Sequence, residues 1–113
     1  MTRGEFLTAL KLLDVKELGG EFRIKGFLLD YIRSPISDYV MLKGKIPYSL
    51  AKAIYEEANK CKLDTYYLNY AYEDNTNQKY FTRIKIESVE ALKFVIETVR
   101  KHSFINEWAI GNY

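Results

Sequence analysis

The residues that could do chemistry in this chain are cationic and aromatic, with one amide: Arg23, Lys25, Tyr39, Lys43, Lys45, Tyr67, Asn69, Phe81, Arg83 and Lys85. They fall at alternate positions of three runs, residues 21–31, 39–46 and 65–87. Side chains at i and i+2 of a strand share one face. The spacing therefore predicts a sheet face that mixes rings with positive charge. Two partners suit such a face. Another protein can bury against rings and Met. Single-stranded nucleic acid can stack its bases on rings while cations follow its phosphates. The plainest alternative is a solvated sheet whose Arg and Lys simply point outward, with Tyr67 and Phe81 as cross-strand neighbours worth about 0.2–1 kcal/mol per pair.

Other chemistry finds little support. His102 is the sole histidine, and no motif sets a Ser, Cys or carboxylate beside it as acid–base or nucleophilic work requires. Cys61 falls near a predicted helix C-terminus, where the dipole disfavours a thiolate; it reads as a buried or half-buried small apolar residue. One Cys and one His do not supply metal-ligand spacing. The oxygen-rich stretch 74–78, Asp-Asn-Thr-Asn-Gln, lacks the Gly and Glu of a calcium loop. Gly19-Gly20 and Gly44 precede strand-like sequence rather than a helix, so neither cradles phosphate. The expectation is no catalytic centre, no metal and no cofactor.

Composition narrows the partners further. A chain of 113 residues makes one domain, residues 1–113, large enough to fold without a disulfide. Lys and Arg number 17 against 15 Asp and Glu, and the resulting charge of +2 steers a polyanion only weakly. Ten Tyr suit core edges and binding surfaces, being apolar rings with a polar tip. A single Cys excludes an internal disulfide. No apolar run approaches the ~18 residues of a membrane span, and no signal-peptide core follows Met1. Those features predict a cytoplasmic protein with no membrane partner.

The elements that must position these residues follow from periodicity. Thr2 and Glu5 form a capping box, and Phe6, Ala9, Leu10 and Leu13 make a helical stripe over residues 3–15. Gly19-Gly20 ends that unit. Phe22, Ile24, Phe27, Leu29 and Tyr31 share one side of a strand if Gly26 marks a bulge; a helix over 27–33 is the rival. Residues 39–46 form the next strand, with Val40, Leu42 and Ile46 inward, Tyr39, Met41, Lys43 and Lys45 outward, and Gly44 where a helix could approach. A helix over 48–60, with Tyr48 or Ser49 at its start, buries Leu50, Ala53, Ile54, Ala58 and Cys61, and sets Glu56 beside Lys60. A Tyr-rich hairpin follows. Its predicted inner set is Tyr66, Leu68, Tyr70, Tyr72, Tyr80, Thr82, Ile84 and Ile86. Its outer set is Tyr67, Asn69, Ala71, Phe81, Arg83 and Lys85. Ser88 caps the last helix, whose stripe is Leu92, Val95, Ile96 and Val99.

The sum is an α+β fold in the order α-β-β-α-β-β-α, a mostly antiparallel four-stranded sheet with helices packed on one face. Residues 103–113 hold Phe104, Ile105, Trp108 and Ile110, apolar enough to dock on the domain or on a second copy; Phe104 and Trp108 are the interface candidates. The expected function is a non-enzymatic binding or protein-interaction module, a second copy of the chain among its partners. The alternative is single-stranded nucleic-acid binding on the basic, aromatic sheet face.

Overall fold

A computed structural model describes residues 1–68, 72, 73 and 79–102. Among these described residues, three helices and seven strands succeed one another: α1 (Arg3–Leu12), β1 (Glu17–Leu18), β2 (Glu21–Ile24), β3 (Phe27–Ile32), β4 (Tyr39–Pro47), α2 (Tyr48–Lys60), β5 (Thr65–Leu68), β6 (Tyr72–Glu73), β7 (Lys79–Ile86) and α3 (Val89–Lys101). Their strand pairs are antiparallel. The strand order is β1-β2-β3-β4-β7-β5, with β6 also paired to β7. The α+β class stands, but the sheet is wider than the four strands expected.

Two turns account for the extra width. Gly19 and Gly20 both have positive φ, 60° and 79°, and fold β1 back onto β2. Lys25 and Gly26 also have positive φ, 47° and 86°, and fold β2 back onto β3. Two successive positive-φ residues make the tight hairpin turn whose twist matches the flanking strands. The phase break at Gly26 is thus a hairpin and not a bulge. Its consequence for the core is the same, because Ile24 and Phe27 face each other across the turn and both are buried. The true irregularity lies in β4, where the register against β7 shifts between Lys43 and Ile46.

The helices end in a way that their sequences conceal. Leu13 closes α1, Asp14 takes φ 57°, and Val15 donates its amide to Leu10 at 2.9 Å. Cys61 closes α2, Lys62 takes φ 56°, and Leu63 donates to Ala58 at 2.8 Å. Both are Schellman motifs built without the usual Gly. The first ends α1 at Leu12 rather than Val15. The second leaves Cys61 exposed, against the expectation that it belongs to the buried stripe. At the other end, α2 starts at Tyr48, directly after Pro47 and with no side-chain cap. Lys60 pairs with Glu57 at 3.2 Å, not with Glu56. The start of α1 is as expected, with Thr2 and Glu5 exchanging hydrogen bonds of 2.9 and 3.1 Å. Ser88 caps α3 through the Ala91 amide at 3.1 Å.

The helices share one side of the sheet. Val40, Leu42, Ile84 and Ile86 are fully buried beneath Leu50 and Ile54 of α2 and Leu92, Val95, Ile96 and Val99 of α3, while Phe6, Ala9 and Leu10 of α1 extend the same core. Gly44 meets a ring rather than a helix: a Cβ there would lie 3.0 Å from Cδ1 of Phe27.

The β3–β4 connection is clamped by one carboxylate. Tyr31 donates its hydroxyl to Asp38 Oδ2, and the Ser34 amide donates to Oδ1 at 3.1 Å. The Tyr31 hydrogen bond, then the Ser34 amide, hold the Asp38 carboxyl below its usual range. Burial, then the same hydrogen bond, raise the Tyr31 phenol. A lowered aspartate stabilises the fold above its unfolded pKa, and that contribution fades as acid passes through the folded value. A raised phenol contributes below its unfolded pKa and is lost as pH rises through the folded one. Urea midpoints measured down the acid limb should therefore fall less steeply in Tyr31→Phe than in the wild type. Superimposable acid limbs would contradict the clamp.

Candidate sheet-face interface

Register assembles the side of the sheet that faces away from the helices. Arg23, Leu28, Lys43 and Arg83 form one row across β2, β3, β4 and β7. Asp30, Met41, Lys85 and Tyr66 form the next, across β3, β4, β7 and β5. Ile32 and Tyr39 begin a third. Of the expected residues, Arg23, Tyr39, Lys43, Arg83 and Lys85 meet on this face.

The others do not join them as predicted. Lys25 occupies the β2–β3 turn, and its Nζ donates to the Arg100 carbonyl at 2.8 Å. Arg100 in turn donates to the Leu13 carbonyl at 2.6 Å. This chain of bonds ties the turn to the C-terminal ends of α3 and α1, where carbonyls lack helical partners. Lys45 follows the β4 register shift, and its Nζ lies 4.9 Å from the Tyr80 ring centroid. Tyr80 has the parity of Ile84, opposite to that of Arg83. Phe81 stacks on Tyr48 at 5.9 Å with planes 20° apart and packs against the core edge, so one side of its ring is taken by α2.

The parity of β5 is reversed. Tyr66 pairs with Lys85 and Tyr67 with Ile84. Tyr66, assigned inward from the sequence, is 49% exposed, while Thr65 is buried. Tyr67 therefore takes a register position on the Ile84 side, not the Arg83 side. Asn69, Phe104 and Trp108 lie outside the described residues.

Electrostatics decide what the assembled face offers. Lys43 Nζ contacts Asp30 Oδ2 at 2.7 Å. Arg23 reaches Glu21 at 3.2 Å and the Gly26 carbonyl at 3.1 Å. Lys85 contacts Glu87 at 3.0 Å and lies 4.4 Å from the Tyr39 ring centroid. Half-exposed pairs of this kind contribute about 0–1 kcal/mol each to stability. Their larger effect is on the surface potential, because Arg23, Lys43 and Lys85 each have an acid of the same face beside them. Met41 is 5% exposed although it lies on the side away from the helices, between Asp30 and Lys85 in register; Leu28, Ile32, Tyr39 and Tyr66 keep apolar surface on this face.

Sequence reasoning missed one contact. Ser49 Oγ lies 3.2 Å from His102 Nε2, joining the start of α2 to the end of α3. The two residues are 53 positions apart, so no local motif could reveal them. A groove of about 360 Å³ between α2 and α3 is lined by Glu57, Phe94, Glu97, Thr98, Lys101 and His102; Ser49 is not on its wall. Among the described residues no group of three His, Cys, Asp or Glu could hold a metal ion, and no helix is long and apolar enough to cross a membrane. The chain matches no protein-family model, no curated protein and no solved structure.

Proposed function

We propose that this chain is a non-enzymatic interaction module that binds protein, a second copy of itself included, through the sheet face away from its helices. The observation that supports this reading is the internal pairing of the face's charges beside apolar side chains that keep exposed surface. Such a surface loses little on desolvation of its rim and presents Leu28, Ile32, Tyr39 and Tyr66 for burial. The apolar C-terminal segment, with Phe104 and Trp108, is proposed to add area to the same contact.

Light scattering over a concentration series tests it. Mass above that of the monomer is expected for the wild type. Leu28→Glu places an acid in the middle of the first row and should weaken that association at least tenfold, with an unchanged far-UV spectrum. Association indifferent to Leu28→Glu would remove this face from the interface.

The rival reading, single-stranded nucleic acid on the same face, is favoured by Tyr39 sharing that face with Arg23, Lys43, Arg83 and Lys85, the last 4.4 Å from its ring centroid. Glu21, Asp30 and Glu87 offset the charges of Arg23, Lys43 and Lys85, so few counterions are available for release. Titration of a labelled oligonucleotide at about 50 and about 200 mM salt separates the two. Tight binding that collapses with salt, and fails in Phe81→Ala with Arg83→Ala, would favour the nucleic acid. No binding at the lower salt would eliminate it.

A further inference from the structure

Strand β5 carries a polar group that the fold leaves unused. Thr65 pairs in register with Ile86, so its side chain takes the helix side of the sheet. Thr65 is 6% exposed, and its buried hydroxyl has no hydrogen-bond partner among the described residues. A threonine hydroxyl can donate once and accept twice. Buried polar groups are almost always bonded, because leaving water without a replacement bond is destabilising. Valine has the same branched shape and fits a buried strand position at least as well. Packing alone gives no reason for the oxygen.

Thr65 lines a cavity of about 340 Å³ between the C-terminal half of α2 and β5, a size at the lower end of ligand pockets, roughly 300–1,000 Å³. Two opposite charges share its wall, Lys62 and Asp64, together with the Asn59 amide. Among the described residues these three side chains make no hydrogen bond or ion pair, so Lys62 and Asp64 do not neutralise each other. Tyr55 and Leu63 add apolar surface.

We infer that this cavity binds a free α-amino acid with an apolar side chain. A ligand with one charge would leave either Lys62 or Asp64 unmatched, whereas a zwitterion complements both. Lys62 and the Thr65 hydroxyl donate to the ligand carboxylate. Asp64 and Asn59 Oδ1 accept from its ammonium. The C-terminal end of α2 lies at the same place, and its dipole adds to the attraction for the ammonium. The ligand side chain rests on Tyr55 and Leu63. The cavity is on the opposite side of the sheet from the proposed interface, so this inference goes beyond that reading and does not depend on it.

Calorimetric titration with L-phenylalanine tests it, with phenylalanine amide and N-acetylphenylalanine as analogues that each lack one charge. The wild type should bind L-phenylalanine, and about 10 mM of it should raise the urea midpoint. Each analogue should bind at least about tenfold more weakly. Without ligand, Thr65→Val should unfold at a higher urea concentration than the wild type, because it removes the unpartnered hydroxyl. The same variant should lose at least about tenfold in affinity, and Thr65→Ser, which keeps the hydroxyl, should retain binding. If Thr65→Val does not fold, Lys62→Gln and Asp64→Asn serve, since both positions are exposed; each should weaken L-phenylalanine by a similar factor. No binding by the wild type at about 10 mM overturns the inference. So does affinity that Thr65→Val, or both charge variants, leave unchanged. N-acetylphenylalanine binding as well as L-phenylalanine would also overturn it, because Asp64 would then recognise nothing.

Discussion

Truncating Leu42 to Ala is expected to lower the free energy of unfolding by about 2–5 kcal/mol. Leu42 is fully buried in β4, the strand that joins the two halves of the sheet. Its register neighbours are Leu29 on one side and Ile84 on the other, and both are buried beneath the helices. The loss has two parts: the transfer free energy of the removed methyl groups, and the cavity that close-packed neighbours cannot collapse into. Against a domain stability of about 5–15 kcal/mol, this is a large fraction. Leu18→Ala is the matched control. Leu18 is 80% exposed, so the same chemical change should move stability by less than about 0.5 kcal/mol. Urea unfolding of both variants decides it. Equal midpoints for the two would mean that β4 is not the centre of the core.

Gly44→Val should be nearly as damaging, by a different route. Gly44 has φ 146°, a conformation that residues with a Cβ rarely adopt. A Cβ would also meet Phe27 Cδ1 at 3.0 Å. Backbone strain costs of order 1–3 kcal/mol, and overpacking a tight site adds a similar amount, about 1–3 kcal/mol. The two contributions can be separated. Phe27→Leu removes the ring that a Cβ would strike, so Gly44→Val should cost less in that background than in the wild type. The part due to φ should persist there. A double-mutant cycle by chemical unfolding measures the difference. Strictly additive losses would show that the ring does not limit this position.

Much of this architecture is legible in the sequence, and the places where it is not have physical causes. The stripes of α1 and α3 and the inward set Phe22, Ile24, Phe27, Leu29 and Tyr31 follow from periodicity, because burial acts on each residue's face whatever the partner. The break at Gly26 is visible as well. Its meaning is not, since a bulge and a two-residue hairpin both return the apolar set to the same side. Asp14 and Lys62 take left-handed conformations that carry no glycine signal, which is why neither the end of α1 nor the exposure of Cys61 follows from the sequence. Among the face residues, Arg23, Tyr39, Lys43, Arg83 and Lys85 lie where alternation puts them. Lys25 and Lys45 do not, because a turn and a register shift move a side chain off its row without altering local alternation.

The chain's own alternation determined which side chains of β3, of β4 before its register shift, and of the Arg83–Ile86 part of β7 face the helices, and its capping and helical stripes determined where α1 and α3 begin and which way they face. Contrast between apolar and polar neighbours is enough for that. Strand order, the β4 register shift and the register of the β5 tyrosines were decided only by tertiary pairing. In β5 each alternate set holds one tyrosine, so burial alone scarcely distinguishes Tyr66 from Tyr67. The register against β7, with Asp64 accepting from Glu87 and Tyr66 opposite Lys85, breaks that near-degeneracy, because a one-residue slip would turn every side chain of the strand to the other face.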